Sequence, residues 1–142
     1  MSQFAGKTAV ISGGAEGIGL SIAQALGDQK MNIVIADIDQ ENLQKAGLDL
    51  EAAGISVLTV ALDVADEVQW QEVASQALAR FGKIHMVVNN AGVGGDTGPI
   101  ESQDKNGWQW ALDVNLMGVV YGAKIMTPVS YTHLRAHETL DH

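Results

Sequence analysis

Cysteine is absent from the 142-residue sequence, which excludes a disulfide framework and any thiolate metal site. Positive charge is scarce. Lys and Arg number 8 against 17 Asp and Glu, for a formal net charge of -9. A surface of that sign repels phosphate backbones, so a nucleic-acid partner is not expected. The same deficit removes long-range steering of an anionic cofactor, so a nucleotide site must rest on local backbone donors. The first residues show no basic stretch followed by an apolar run, and no apolar stretch is long enough to span a bilayer. The expectation is a soluble, cytoplasmic protein without a membrane partner.

What is present suffices for one core and not for two, since 46% of the residues are hydrophobic. Lys7–Ser12 reads as a short buried strand, followed by glycines and then by Ile18, Ile22, Ala25 and Leu26 at helical spacing. Asn32–Ala36 is a second β-branched run ending at Asp37. Leu43, Ala46, Leu50 and Ala53 mark a second helix, which Gly54 stops. Ser56–Val60 is a third strand, Val68 to Leu78 a third helix ending near Gly82, and Ile84–Val88 a fourth strand. A Gly-rich loop from Ala91 to Gly98 leads to a long helix from about Trp108 to about Met126, apolar nearly all round. Strands that are almost continuously apolar and alternate with helices predict a parallel α/β sheet covered on both faces.

Ser12-Gly13-Gly14-Ala15-Glu16-Gly17-Ile18-Gly19 lies between the first strand and the first helix. Glycines there let the backbone turn sharply, and the helix start offers unpaired N–H groups to a pyrophosphate. The Gly-x-Gly-x-x-Gly spacing fails. Gly-x-x-x-Gly-x-Gly is present instead, at Gly13, Gly17 and Gly19, and Gly14 adds more glycine than the turn needs. Asp37, about 20 residues on, closes the second strand and can accept both hydroxyls of an adenosine ribose. Asp39 is the better N-cap for the helix that follows. Asp63-Val64 follows the third strand, where Asp63 reads equally as an N-cap. Asn89-Asn90-Ala91-Gly92 follows the fourth. Asn115 sits inside the long apolar helix, which predicts burial with a specific hydrogen-bond partner.

These motifs, in this order from residue 7 to about residue 127, resemble the short-chain dehydrogenase/reductase family, with Ser12 where the family more often has Thr. The resemblance implies a Rossmann-like doubly wound sheet, truncated to about four strands in the order 3-2-1-4. It implies that Ser12, Gly13, Gly17, Ile18 and Gly19 carry the pyrophosphate of a nicotinamide cofactor, and that Asp37 selects NAD over NADP. Asp63 and Val64 would meet the adenine, and Asn89, Asn90, Ala91 and Gly92 would complete the cofactor site. Asn115 would kink its helix and hold a water of the proton relay, the one catalytic residue expected in the chain. The activity implied for a full-length parent is hydride transfer between NAD(H) and an alcohol or ketone. That parent is expected to be a homodimer or homotetramer formed through the Asn115 helix. A non-catalytic NAD-binding module is the alternative.

The family's Ser, Tyr and Lys are not expected among these residues. Tyr131 precedes Arg135 at the right interval, but it follows Asn115 too soon, and arginine does not release its proton as lysine can. Three of the four histidines lie at 133, 137 and 142, near Glu138, without a metal-binding arrangement, so no metal is expected. Residues 129–142 have no strand or helix period, and 129–139 resemble a translated adaptor or vector segment. The organisation expected is therefore a truncated NAD-binding domain over 1–128 and a non-native, disordered tail over 129–142.

Overall fold

A computed structural model describes residues 3–94 and 97–128. The expectation for residues 129–142 lies outside those residues. Four strands, β1 (Thr8–Ser12), β2 (Asn32–Asp37), β3 (Val57–Ala61) and β4 (Met86–Asn89), form one parallel sheet in the order β3-β2-β1-β4. Helices α1 (Gly17–Asp28), α2 (Gln40–Ala52) and α3 (Glu67–Phe81) connect them.

Alternation within the strands builds the two faces. Successive side chains of a strand point to opposite sides. Ile11, Ile33 and Ile35 accordingly pack with Ala23, Leu43, Ala46 and Leu50 of α1 and α2. Val10, Val34 and Ala36 pack the other way, with Trp70, Val73 and Ala77 of α3. The two central strands are therefore apolar at every position but their ends, and all five residues of β1 are buried. Trp70 is fully buried and still satisfied, because its indole Nε1 donates to the Val64 carbonyl at 3.0 Å.

The expected long helix starts earlier than its apolar pattern suggested. Asp104 caps it by accepting the Asn106 N–H at 3.1 Å, and α4 runs Lys105–Leu112. The polar first turn, Lys105 and Asn106, carries no hydrophobic period, which hid the true start. The helix then widens into a π-helical segment, Asp113–Met117, and residues 118–128 are again α-helical. Its apolar residues are not all covered. Gly118, Gly122 and Met126, four apart, form the buried stripe. Added Cβ atoms at Gly118 and Gly122 would lie 2.8 Å from Val64 and 2.9 Å from the Trp70 ring. Glycine at these places lets the helix seat directly on α3 and the loop before it. Lys124 adds an exposed ion pair to Glu67 at 2.7 Å, and that hydrogen bond, with the carboxylate's charge, raises the lysine pKa. Trp108, Trp110, Leu112 and Leu116 remain about half exposed, at 47%, 50%, 47% and 55%.

Candidate functional site

The carboxyl ends of parallel strands are where an α/β sheet opens a crevice, because the loops diverge there. In this chain the loops after β1, β2, β3 and β4 all reach one cleft of about 690 Å³. Gly13 and Glu16 line it from the first loop, and Asp37, Ile38 and Asp39 from the second. The third loop gives Asp63, Val64 and Ala65, and the fourth Asn90, Ala91, Gly92 and Val93. Trp110, Asp113 and Val114 close the far wall.

The glycine turn is shaped by close approach as much as by dihedral freedom. Gly13 has φ +65°, a conformation that side chains disfavour. A Cβ at Gly19 would run into the Gly13 carbonyl oxygen and the Asn90 side-chain amide. The expectation that Gly14 is superfluous is wrong. Its Cβ would lie 2.8 Å from Ile35 and 3.0 Å from the Ile11 carbonyl, so the turn can lie against β2 only if residue 14 has no side chain. Helix α1 then starts at Gly17. Its N-cap, Glu16, makes no capping bond with its side chain, and its first turn holds no acid. The first N–H groups of such a helix need a partner from outside it.

Ser12 is buried and does not line the cleft. Its Oγ accepts the N–H of Asn90 at 3.1 Å and of Ala91 at 3.2 Å, and donates to the Val88 carbonyl at 3.4 Å. One hydroxyl thus ties the end of β1 to the turn after β4, and a hydroxyl is the smallest group that can both give and take those bonds. Asn90 returns the tie, its Nδ2 donating to the Gly13 carbonyl at 3.1 Å. Asn89 faces the other way, its Oδ1 2.5 Å from where a Cβ on Gly122 would stand. Gly17, Ile18, Gly19 and Asn89 do not line the cleft, although Gly19 shapes its floor.

Asp37 faces the cleft with both carboxylate oxygens anchored. Oδ2 accepts the Ala15 N–H and Oδ1 the Asp39 N–H, each at 3.1 Å. Asp39, as expected, is the N-cap of α2 and accepts the Asn42 N–H at 3.0 Å. Asp63 caps no helix; Asp66 does that for α3. Asp63 Oδ1 instead accepts the Ala65 N–H at 3.0 Å, which fixes the turn that presents it.

Asn115 has the partner its position demanded but not the burial. It is exposed, and it binds the Val93 main chain twice. Oδ1 accepts the Val93 N–H and Nδ2 donates to the Val93 carbonyl, both at 2.7 Å. A side-chain amide matched to a peptide in this way pins the loop after β4 to the π segment. Such π segments are frequent at functional sites. Val93, Ile38, Val114 and Trp110 were not foreseen as site residues. Ile38 could have been, as an apolar residue directly after the strand-end acid, and it is 69% exposed at the cleft. Among the described residues no group of three or more His, Asp or Glu is placed to hold a metal ion. No helix among them is long and apolar enough to cross a membrane.

Residues 7–133 match the family described as short chain dehydrogenase. The match ends inside the stretch 129–142. The chain is 35% identical over 129 residues to a CLA biosynthesis dehydrogenase/reductase of Lactiplantibacillus plantarum, covering 91% of this chain and 45% of that protein. Of solved structures, a short chain dehydrogenase/reductase from Burkholderia phymatum in complex with NAD superposes with a TM-score of 0.87 at 40% identity, over 91% of this chain and 46% of the other. An NAD+-bound xylitol dehydrogenase superposes with a TM-score of 0.89 at 26% identity, over 93% and 51%. The chain spans about half the length of the curated relatives it matches.

Proposed function

The chain belongs to the short-chain dehydrogenase family, and from that premise we propose that its cleft binds NAD in preference to NADP, by the adenosine and pyrophosphate. The observation that carries the reading is the convergence of the glycine turn, Asp37, Asp63 and Asn90–Gly92 on one cleft. The residues fit the ligand by what they leave over. A carboxylate has about four acceptor positions, and backbone N–H groups take two of those on Asp37. The rest can take the two ribose hydroxyls. Asp63 keeps acceptor capacity for the exocyclic amine of adenine. Ile38, Val64 and Val114 offer apolar contact to the ring. The uncapped start of α1, which adjoins the cleft at Glu16, is proposed to offer N–H donors to the pyrophosphate, which matters because no Lys or Arg among the described residues lines the cleft.

Bound NAD would supply the hydride acceptor of an alcohol oxidation, and the whole protein is proposed to interconvert an alcohol and a ketone. Asn115 is proposed to hold the Val93 loop and a relay water beside the reacting end. The exposed apolar residues of α4 support a homo-oligomer of the whole protein. A non-catalytic NAD-binding module is the second reading.

The cofactor reading is tested by calorimetry with NAD and NADP. Asp37→Ala removes charge-assisted hydrogen bonds worth roughly 1.5–3 kcal/mol each. NAD affinity is expected to fall about tenfold or more, with most of the preference over NADP. An unaltered chain that binds NADP more tightly than NAD refutes the role given to Asp37.

A further inference from the structure

Six asparagines are spread along the chain, and their surroundings differ. The side-chain amides of Asn32, Asn42, Asn90 and Asn115 are each held by a hydrogen bond to another part of the fold. Asn106 is exposed, and among the described residues its side chain has no hydrogen-bond partner. It is also the one asparagine followed by glycine, and Gly107, without a Cβ, leaves its backbone nitrogen open to approach. The pair lies in the first turn of α4. Asp104 caps that turn by accepting the Asn106 N–H at 3.1 Å, and the helical ladder starts only at Trp108, whose N–H reaches the Asp104 carbonyl at 3.2 Å. Between the two, the Gly107 N–H has no partner among the described residues, as is common for the first donors of a helix.

We propose that Asn106-Gly107 is a modification site, where the chain deamidates itself and remodels the start of α4. The Gly107 nitrogen gives its proton to water and bonds to the Asn106 Cγ, while the Cγ–Nδ2 bond breaks with loss of ammonia. Water then opens the five-membered imide at either carbonyl. Breaking the bond to Cγ yields aspartate, and breaking the bond to the main-chain carbon yields isoaspartate. Nothing is oxidised or reduced. The helical conformation holds the nitrogen away from Cγ, so the turn must open first, and fraying ends of a fold open with free energies near zero. The two products act differently. Aspartate adds a negative charge near a helix N-terminus, which the dipole favours. Isoaspartate adds a carbon to the backbone, which puts the Trp108 N–H out of register with the Asp104 carbonyl. Trp110, Asp113 and Val114, on the far wall of the cleft, continue from the turn that is remodelled.

The test holds the purified chain warm at mildly alkaline pH, beside a synthetic peptide of residues 103–110, and maps both by mass spectrometry over time. Conversion of amide to acid is expected first at Asn106, no more than about tenfold slower than in the peptide, since a frayed helix end opens at little cost. Gly107→Ala is expected to slow it several-fold, because the added Cβ hinders the attacking nitrogen. Ion exchange then separates the products. The isoaspartyl chain is expected to melt a few degrees below the unaltered one, the scale of a lost helix cap. Asn106→Asp, which gains the charge without the extra carbon, is expected to melt with the unaltered chain or slightly above it. Another asparagine that converts sooner, a delay greater than tenfold relative to the peptide, or an isoaspartyl chain that melts with the unaltered one overturns the proposal.

Discussion

Gly19→Val is expected to lower NAD affinity by roughly fivefold to 150-fold, the loss that follows from displacing the floor of the cleft by overpacking worth ~1–3 kcal/mol. The reason is contact between parts of the chain. Even the first atom of a side chain at 19 would run into the Gly13 carbonyl and the Asn90 amide. Either the glycine turn or the turn after β4 must move. The two are joined by the Asn90 Nδ2 bond to Gly13, so both lose their places on the cleft. Gly17 is a useful contrast. It has φ +59° but nothing within 4 Å of an added Cβ, so Gly17→Ala strains the backbone without displacing a neighbour. Its affinity should drop less than that of Gly19→Val. Calorimetry on variants shown by circular dichroism to keep the helices checks this. A folded Gly19→Val protein that binds NAD normally would refute the assignment of the turn.

The second large effect is on turnover. The chain as it stands is expected to oxidise no secondary alcohol in the presence of NAD. Oxidation requires the alcohol to lose a proton as its hydride leaves, and general acid–base assistance is typically worth about 10²–10⁴-fold. In the family resembled, a tyrosine does this, its pKa lowered by a lysine four residues later. Tyr121 is followed at that distance by Ile125, and Tyr131 by Arg135. Arginine keeps its proton and so cannot pass one on. Orienting the two reactants is worth still more than proton transfer. An assay of the purified chain against a panel of secondary alcohols, beside Tyr131→Phe, decides the matter. NADH production from any of these alcohols would contradict the expectation, and production that disappears in Tyr131→Phe would contradict the reading of Tyr131.

Most of the fold was legible because parallel strands buried on both faces leave a strong mark. Val10, Ile11, Ile33, Val34 and Ile35 are all fully buried, and such runs between helical periods have few other interpretations. Asp39 could be told from Asp37 as the α2 cap because a cap has a fixed local spacing. What failed was either unpatterned or non-local. The start of α4 is polar, so no apolar period announced it. Gly14 looked dispensable because its crowding comes from Ile35, on a different strand. Asn115 was expected to be buried because its neighbours are apolar, yet the face of the helix around it is open, with Leu116 at 55% exposure. The hydrogen bond from Asn42 Nδ2 to Glu16 joins residues 26 apart through side chains whose meeting no local spacing announces. Sequence spacing reports what a backbone needs at once, and it is silent on which side chains meet across loops.

One measurement bears most directly on the central claim that this cleft is an NAD site. Backbone amide shifts of the isotope-labelled chain would be followed while NAD is added. Saturable changes are expected at Gly13 to Gly19, Asp37 to Asp39, Asp63 to Ala65 and Asn90 to Val93, with weaker binding of NADP at the same amides. Absence of saturable shifts, or shifts confined to the exposed side of α4 around Trp108 and Leu112, would contradict the claim.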